Sequence, residues 1–478
     1  MSTGNLDALS AFLAYSISNL ESAFLKVPGS SVVVRYVKSS HQNDPGRTVL
    51  EVMLVVFAIF TLLQSRTRAD RSGKHFIKFN DKEIDELVDE WIPEPLGAPL
   101  NAVEASDLAA VPIVVGQNGP KPTLVRQPSK IIANLASYNF TGLAGKEIIK
   151  ERAIETLRKY GLGSCGPPGF YGTLDVHMAL ERDLADFLGA EAAIIYSQGF
   201  STISSGIQIS RSTVRWYDHN DLKSLEDVLD SVEKERKKRR GPLTRRFIIT
   251  EGIFEKDGAM IDLPKLIELK YRKKYRLILD ESISFGTVGR TGRGLTELYN
   301  VPAAKVDMLV GSMAIGLCAG GGFCAGSQNV IDHQQINGPS FVFSASMPAL
   351  LAVSASEGIE ILRSSPSILT KLQQNIRVAR TLLDDLDCIS IPSHSASPII
   401  HLHERLLQQV VEEALRRGVM ITRAKRLRGQ EMVEARPSIR LALTSELSAD
   451  EVKKAVKIVC QVLKDVLRKW TVGCRLST

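Results

Sequence analysis

The segment GSMAIGLCAGGGF, residues 311–323, decides the fold class of this chain. It comes after RLILDES, residues 276–282, an apolar run with the length of a buried strand that ends at the carboxylate of Asp280. A strand with a polar end, followed by a glycine-rich loop, is typical of α/β proteins, where ligands gather beyond the carboxyl ends of strands. The loop holds no lysine, and none occurs between Lys305 and Lys371.

From about residue 134 the chain alternates strand-like apolar runs with amphipathic helical runs, which indicates an α/β fold. Three of the strand-like runs end in polar turns at Ser197, Glu251 and Asp280. We predict a large domain at residues 134–345 with a mostly parallel sheet. Two further strand-like runs, near 398–402 and 438–443, predict a smaller α+β C-terminal domain at residues 346–478.

The composition is that of an ordinary globular protein. The chain has 478 residues, 44% of them apolar and 24% charged, a net charge of +7 and a pI near 9.0. This length predicts two to three compact units. The basic run EKERKKRR, residues 233–240, is either a solvated helix end or a contact with acidic lipid headgroups. Because no recognition motif accompanies the charge, nucleic-acid binding is not expected.

The cysteines and histidines follow no metal-binding pattern. The six cysteines include no CxxC pair, and no histidine cluster completes a zinc spacing. His401 and His403 share one face of a predicted strand, and such a pair is more often structural than metal-binding. We predict no metal site and a protein body in a reducing compartment such as the cytosol.

One run near the start has the composition of a membrane span. VLEVMLVVFAIFTLL, residues 49–63, carries a single charge at Glu51 and approaches the roughly 20 apolar residues that a spanning helix needs. Basic residues follow it closely, which favours a cytosolic side for the rest of the chain. We predict a single-pass membrane helix at residues 48–65. The alternative is a buried core helix.

The segments flanking this run are predicted to be an amphipathic segment, residues 1–47, and a connector, residues 66–133. The apolar residues of the first recur at spacings of three and four, which is typical of a helix on a membrane surface or against a partner. These residues are Leu6, Leu9, Leu13, Ile17, Leu20 and Phe24. Prolines at 93, 95 and 99 stop a short helix in the connector.

Four motifs, in this order, resemble the α-oxoamine synthases. They are LASYNFTGL (135–143), KYGLGSCGPPGFYGTLDVHMALE (159–181), LDESISFGTVGRTGRGLTE (279–297) and FSASMP (343–348). The ordered set is specific, whereas any one glycine-rich piece alone is weak evidence. The resemblance implies a fold-type I pyridoxal-phosphate transferase, from a family that condenses an amino acid with an acyl-CoA.

Within this family the chain is most similar to the non-catalytic subunits of heterodimeric serine palmitoyltransferases. Ile315 stands where active members carry the lysine that forms a Schiff base with the cofactor, and an isoleucine offers no amine. The resemblance implies that a catalytic partner subunit holds the pyridoxal 5'-phosphate and that the pair lies in the endoplasmic-reticulum membrane. It also allows small regulatory membrane proteins and membrane lipids as partners.

The resemblance assigns vestigial roles to three residues. Asp280 matches the aspartate that faces the pyridine nitrogen, Ile315 the Schiff-base lysine, and Arg440 the arginine that holds the amino-acid carboxylate. Ile283 stands where active members have a histidine near the cofactor. Asp280 is otherwise a strand-end residue that caps a turn, and Arg440 a residue retained for the fold.

A second group of residues is expected at a site shared with the partner subunit. Glycines permit close backbone approach, so the loop with Cys165 and Gly166 suits a tight interface. The resemblance directs this loop towards the partner's cofactor pocket, and it directs Ser344 and Ser346 towards the cofactor phosphate. The alternative for the loop is a structural turn with a buried thiol. We expect His177 and Glu181, at i and i+4, to serve helix packing and surface pairing.

Compared with the family, a strand and a helix are missing between Phe200 and His219. Either the chain is a natural shortened form or a piece of its gene has been left out of the sequence. Two other functions stay open. One is an autonomous enzyme of the same family that uses Lys256 or Lys305, and the other is a membrane scaffold that regulates lipid synthesis without a shared active site.

Overall fold

The computed structural model describes residues 26, 28–73, 79–93, 97, 99–202, 212–239, 245–387, 389–403, 407–424 and 436–476. The chain divides into two compact units, Met1–Ser106 and Asp107–Thr478. The amphipathic residues expected from Leu6 to Phe24 lie outside the described residues, so that helix stays a prediction. The boundaries at 134 and 345 also stay predictions.

Three helices lie in the described part of the first unit, before its boundary, and one of them holds the candidate membrane span. Its helices are α1 (Ser30–Asn43), α2 (Pro45–Gly73) and α3 (Asp81–Glu90). Within α2 the stretch Pro45–Leu62 has a mean hydropathy of 1.7, and none of it is buried against other parts of the protein. Length and composition therefore allow α2 to cross a membrane. A buried core helix, the alternative, passes the same test of length and composition.

The second unit combines short strands with helices on both sides of them. The strands are β1 (Val114–Val115), β2 (Thr123–Leu124), β3 (Ala133–Asn134), β4 (Ala192–Tyr196), β5 (Phe247–Glu251), β6 (Arg276–Asp280), β7 (Met308–Ser312), β8 (Gly322–Gly326), β9 (Ile399–His403), β10 (Val419–Met420), β11 (Thr422–Arg423) and β12 (Ser438–Ala442).

The helices that follow α3 begin at the boundary between the two units. They are α4 (Ala102–Ala110), α5 (Glu147–Tyr160), α6 (Asp175–Leu188), α7 (Leu222–Arg239), α8 (Leu263–Lys273), α9 (Leu295–Leu298), α10 (Met313–Gly316), α11 (Gln328–Asn337), α12 (Pro339–Val342), α13 (Ala349–Ser364), α14 (Ser367–Leu383), α15 (Leu407–Arg416) and α16 (Ala449–Leu476).

The main sheet has five strands in the order β4-β8-β7-β6-β5. Strands β5, β6 and β7 are parallel neighbours, whereas β8 runs antiparallel to both β7 and β4. Four of the five strands therefore share one direction, and the predicted mostly parallel sheet is confirmed. Their carboxyl ends meet at one edge, where ligands of α/β proteins bind.

The register of the sheet sets two carboxylates side by side. Glu251 pairs with Asp280 at the carboxyl ends of β5 and β6. Alternate residues of β6, Leu277 and Leu279, are fully buried and anchor the strand in the core. The site residues are thus fixed by a strand that cannot slip by one position without exposing its apolar face.

A smaller antiparallel sheet has the strand order β11-β12-β9. Its strands β9 and β12 are the two that the sequence predicts near 398–402 and 438–443. Helix α16 packs against α14 and α15 beside it. In β12, Arg440 pairs with His401 of β9, so the arginine is held by both flanking strands. The predicted α+β character of this part of the chain agrees with the structure.

Strand β5 is the last strand at its side of the sheet among the described residues. Residues 212–218, which lead towards α7, form no strand there. This agrees with the shortened stretch that the sequence shows between Phe200 and His219, because the loss of one sheet element leaves its neighbour without a pairing partner.

Candidate functional site

Three carboxylates gather at the carboxyl ends of β5 and β6. The main-chain N–H of Ser282 donates to Asp280 Oδ1 at 2.8 Å, and that of Glu255 donates to Glu251 Oε2 at 3.1 Å. Burial, together with the charge of Asp280, raises the pKa of Glu251 to about 7. Burial also raises the pKa of Asp280, and the charge of Glu255 adds to the shift. Glu251 is therefore partly protonated near neutrality.

The contact between Asp280 and Ser282 is the one that a turn-capping role predicts. A role towards a pyridine nitrogen stays a prediction. Such a role needs a negative carboxylate to hold the nitrogen protonated, and burial works against that charge here.

Arg440 extends from β12 to the same group of acidic side chains. Its Nη1 donates to the Tyr138 hydroxyl at 2.6 Å and lies 3.5 Å from Glu255 Oε1. The Tyr138 hydroxyl in turn donates to Glu255 Oε1 at 2.9 Å. The guanidinium also lies over the Tyr138 ring, 4.4 Å from its centroid. The arginine is therefore already engaged by a carboxylate of its own chain.

Ile315 lies on the short helix α10, directly beyond the end of β7. Ser312 begins this helix, and its hydroxyl accepts from the main-chain N–H of Ala314 at 3.3 Å. Ile315 is half-buried and packs against the apolar core. No residue of α10 carries an amine, because its sequence is MAIG.

The two lysines considered for an autonomous enzyme lie at opposite ends of the sheet. Lys305 lies before β7, at its amino end, so it is on the far side of the sheet from Asp280. Lys256 follows the carboxyl end of β5 and lies on the same side as Asp280. Of the two, only Lys256 is placed at the edge where the family's chemistry takes place.

The loop with Cys165 and Gly166 contacts the turn with Ser344 and Ser346. The main-chain N–H of Ser346 donates to the carbonyl oxygen of Gly166 at 3.0 Å. Cys165 is exposed and has φ of 57°, in the left-handed region. The exposed thiol does not agree with the alternative of a structural turn with a buried thiol. The structure thus joins Gly166 to Ser346 and places Cys165 and Ser344 on the same two loops.

Gly172 closes this contact between the two loops. A Cβ atom at this position would lie 2.1 Å from the carbonyl oxygen of Gly166 and 2.6 Å from Ser346 Oγ. The Ser346 hydroxyl is buried and has no hydrogen-bond partner among the described residues. A buried hydroxyl without a partner is unfavourable, so the turn has the capacity to bind one more polar group.

The same two loops present large apolar side chains to solvent. Phe170 is 63% exposed, Phe343 is 82% exposed, and Tyr171 is fully exposed. Clusters of exposed aromatic residues are typical of protein interfaces. We call these three residues the aromatic patch.

His177 takes part in the expected helix packing, whereas His177 and Glu181 do not form the expected surface pair. His177 is buried, accepts from the Leu174 N–H at Nδ1 (3.0 Å), and donates from Nε2 to the Met347 carbonyl oxygen (2.7 Å). Glu181 also turns inwards, where its Oε1 accepts from the Ile195 N–H at 3.3 Å. The i, i+4 spacing places both residues on one face of α6 but does not tell whether that face is exposed. Leu180 and Leu184, which are buried in the same helix, indicate that it is the buried face.

Several residues near the carboxylates were not singled out from the sequence. His219 bonds Asp257 at 2.8 Å, and its ring lies edge-on to Phe254 with centroids 4.5 Å apart. The bond to Asp257 raises the pKa of His219. Tyr138 lies in the motif at 135–143. Its hydrogen bond to Arg440 joins residues 302 apart in sequence, so no local pattern predicts it.

No group of three or more potential metal ligands occurs within the described part of the chain. His401 is buried and donates to or accepts from Ser438 Oγ at 2.9 Å, and burial lowers its pKa to about 4.

In the basic run at residues 233–240, Glu233 forms ion pairs with Arg236 and Arg246, which neutralises part of the charge within the chain.

The residues fit pyridoxal phosphate only in part. The covalent part does not fit, because Ile315 has no amine. The phosphate part does fit, since the Ser346 hydroxyl is buried without a partner.

Comparison with known proteins agrees with this fold. The family model for class I and II aminotransferases matches residues 130–206 and 198–459. The two matches overlap at 198–206, where the sequence indicates that the chain is short. Serine palmitoyltransferase 1 of Dictyostelium discoideum is 35% identical, over 87% of this chain and 93% of that protein.

Two further relatives and one solved structure are also similar to this chain. Serine palmitoyltransferase 1 of Saccharomyces cerevisiae is 31% identical over 91% of this chain and 92% of that protein. Long chain base biosynthesis protein 1 of Arabidopsis thaliana is 34% identical over 81% and 86%. A high-resolution structure of SPT with PLP internal aldimine has a TM-score of 0.68 at 18% identity, covering 81% of this chain and 99% of that one.

Proposed function

This chain belongs to the class I and II aminotransferase family, and its relatives include serine palmitoyltransferase 1 and long chain base biosynthesis protein 1 chains. From that premise we propose that it is the non-catalytic subunit of a heterodimeric serine palmitoyltransferase. The complex joins L-serine to palmitoyl-CoA and releases carbon dioxide and coenzyme A. The product, 3-ketodihydrosphingosine, begins sphingolipid synthesis.

The observation that carries this proposal is Ile315 at the start of the loop after β7. A Schiff base to the cofactor requires a primary amine, and α10 offers none. The engagement of Arg440 by Tyr138 and Glu255 supports the same conclusion, since a free amino acid would compete with an internal carboxylate. Turnover then belongs to a partner, a long-chain base 2 type subunit that carries the lysine and the pyridoxal phosphate.

The second part of the proposal concerns what this chain adds to its partner. The aromatic patch supports an interface at the loop with Cys165, and the unpaired Ser346 hydroxyl supports a contact to the partner's cofactor phosphate. Helix α2 supports a membrane anchor, which we assign to the endoplasmic reticulum with the body in the cytosol.

Purification tests the division of labour between the subunits. The full-length chain, expressed alone in detergent and incubated with pyridoxal phosphate, should show no borohydride-stable cofactor adduct by mass spectrometry and no ketosphinganine formation. Co-expressed with a lysine-bearing homologue, it should co-purify as an active pair. Activity of the chain alone would contradict the proposal.

Three variants separate the rival functions. Since Lys256 lies on the same side of the sheet as Asp280, an autonomous enzyme would lose an adduct with Lys256→Ala and keep it with Lys305→Ala. A scaffold without a shared site predicts that Cys165→Trp leaves the activity of the pair unchanged. The shared site predicts that it changes the partner's rate or its choice of amino acid.

A further inference from the structure

A small cavity lies behind the two loops that carry the predicted interface residues. It has a volume of about 220 Å³, and its walls come from the start of α6, the end of β4 and the turn around Ser346. Sites for cofactors and drug-sized ligands usually measure about 300–1,000 Å³. This cavity is therefore suited to one side chain rather than to a whole cofactor.

Glu181 is the acidic group in this cavity. One of its oxygens, Oε1, has a weak bond from the Ile195 N–H at 3.3 Å, and no residue in the described ranges forms an ion pair with the carboxylate. Burial raises the pKa of Glu181 to about 7. A carboxylate that is buried without a counter-ion is unfavourable, so the cavity favours a cation.

The other titratable groups around Glu181 do not supply that cation. His177 uses both ring nitrogens for main-chain bonds, and burial lowers its pKa, so the ring is neutral. Tyr196 donates to Gln334 Oε1 at 3.2 Å, and burial raises its pKa. The charge of Arg182, the next residue in α6, only slightly opposes the effect of burial on Glu181.

The cavity is continuous with the proposed interface. Pro168, Thr173 and Ser344 line it, and they belong to the two loops that carry the aromatic patch. The unpaired hydroxyl of Ser346 lies in the same wall and is able to accept a further hydrogen bond. A side chain that enters from the partner's surface would therefore find a carboxylate and hydroxyl groups.

We propose that this cavity receives a basic side chain, lysine or arginine, of the partner subunit and pairs it with Glu181. The inference rests on the proposed heterodimer and adds the recognition group that draws the two chains together. An ion pair that is enclosed in this way fixes the relative position of two chains more strongly than an exposed pair. It also links association to pH, because Glu181 must lose its proton to pair.

The test measures the affinity between the full-length chain and its lysine-bearing partner in detergent at pH 6, 7 and 8. For wild type the dissociation constant should fall about tenfold from pH 6 to pH 8, since a group with a pKa near 7 is largely protonated at pH 6. Glu181→Gln should remove most of this pH dependence and weaken association at pH 8. Glu181→Asp keeps the charge and should keep the pH dependence.

Glu191→Gln is the matched control, because Glu191 is exposed at the opposite end of β4 and makes the same change of charge. It should behave as wild type. If wild type shows no pH dependence, or if Glu181→Gln shares the wild-type profile, the inference is overturned while the heterodimer stands. If no pair forms at any pH, the proposed function fails first.

Discussion

The guanidinium of Arg440 lies over the ring of Tyr138 and donates to its hydroxyl at 2.6 Å. The Tyr138 hydroxyl in turn donates to Glu255 Oε1 at 2.9 Å. These three residues come from different parts of the chain: the motif near the start of the body, the turn after β5, and β12. In a member of this family with a free arginine, an amino-acid carboxylate would find that group open. Here Glu255 Oε1 lies 3.5 Å from Nη1, while Nε is buried without a partner among the described residues, and whether the arginine serves stability or substrate binding is what Tyr138→Phe tests.

Removing the Tyr138 hydroxyl should cost stability but leave the chemistry of the pair intact. Tyr138→Phe keeps the ring under Arg440 and deletes two hydrogen bonds, so we expect a loss of about 1–2 kcal/mol in the free energy of unfolding. Urea denaturation of the full-length chain measures it, with Tyr171→Phe as the control at a fully exposed position. A change in the KM of the heterodimer for L-serine would show that Arg440 binds substrate after all.

The paired carboxylates at the ends of β5 and β6 should make stability fall as pH rises towards neutrality. Burial raises the pKa of Glu251 from its usual value of 4.5 to about 7, so the folded chain binds more protons than the unfolded chain within that window. The contribution of Glu251 is then fully present below pH 4.5 and is lost as pH rises through 7.

Glu251→Gln should remove this part of the pH dependence. The slope of the unfolding free energy between about pH 5 and pH 7 should decrease by up to about 1.4 kcal/mol per pH unit. Chemical denaturation at several pH values gives the slope, and Glu191→Gln, at an exposed residue before β4 and outside the carboxylate group, serves as the control. A variant with the wild-type slope would mean that Glu251 is ionised in the folded chain.

Two glycines of one loop should respond differently to the same substitution. Gly172→Ala places a Cβ atom 2.1 Å from the Gly166 carbonyl oxygen, so the two loops must separate, at a cost of about 1–3 kcal/mol. Gly169→Ala meets no atom within 4 Å and should change stability by less than about 0.5 kcal/mol. Thermal unfolding compares the two, and equal effects would show that the loop adjusts freely.

The sequence predicted the elements of this fold better than the contacts between them. Alternating apolar runs and polar turns were sufficient to place β5 and β6 and to set Glu251 and Asp280 at their ends, since strand burial is a local signal. Tyr138 and Arg440 are 302 residues apart, and no periodicity connects them. The inward direction of Glu181 was missed for a related reason: an i, i+4 pair defines a helix face but not what covers it.

The membrane helix and the edge of the main sheet also differ in how far the sequence predicted them. Composition alone indicated a span near residues 48–65, and α2 provides a helix with an unburied apolar stretch there. The missing sheet element was visible only through the resemblance, because the remaining residues give no sign of a strand that they lack. In the structure β5 has no second neighbour among the described residues, which agrees with this prediction.

Restoring the amine is the most direct test of what the site has lost. Ile315→Lys places a primary amine on α10, beyond β7 and on the same side of the sheet as Asp280. Incubated with pyridoxal phosphate, this variant should give a borohydride-stable adduct that mass spectrometry assigns to residue 315. The matched control is Ala314→Lys, because Ala314 is exposed on the same short helix, and it should give little or no adduct. Turnover should not return in Ile315→Lys alone, since Glu255 still lies 3.5 Å from Arg440 Nη1 and burial raises the pKa of Asp280. Adding Glu255→Ala should then permit L-serine to change the visible spectrum of the adduct, whereas a spectral change without that second substitution would show that Arg440 is free.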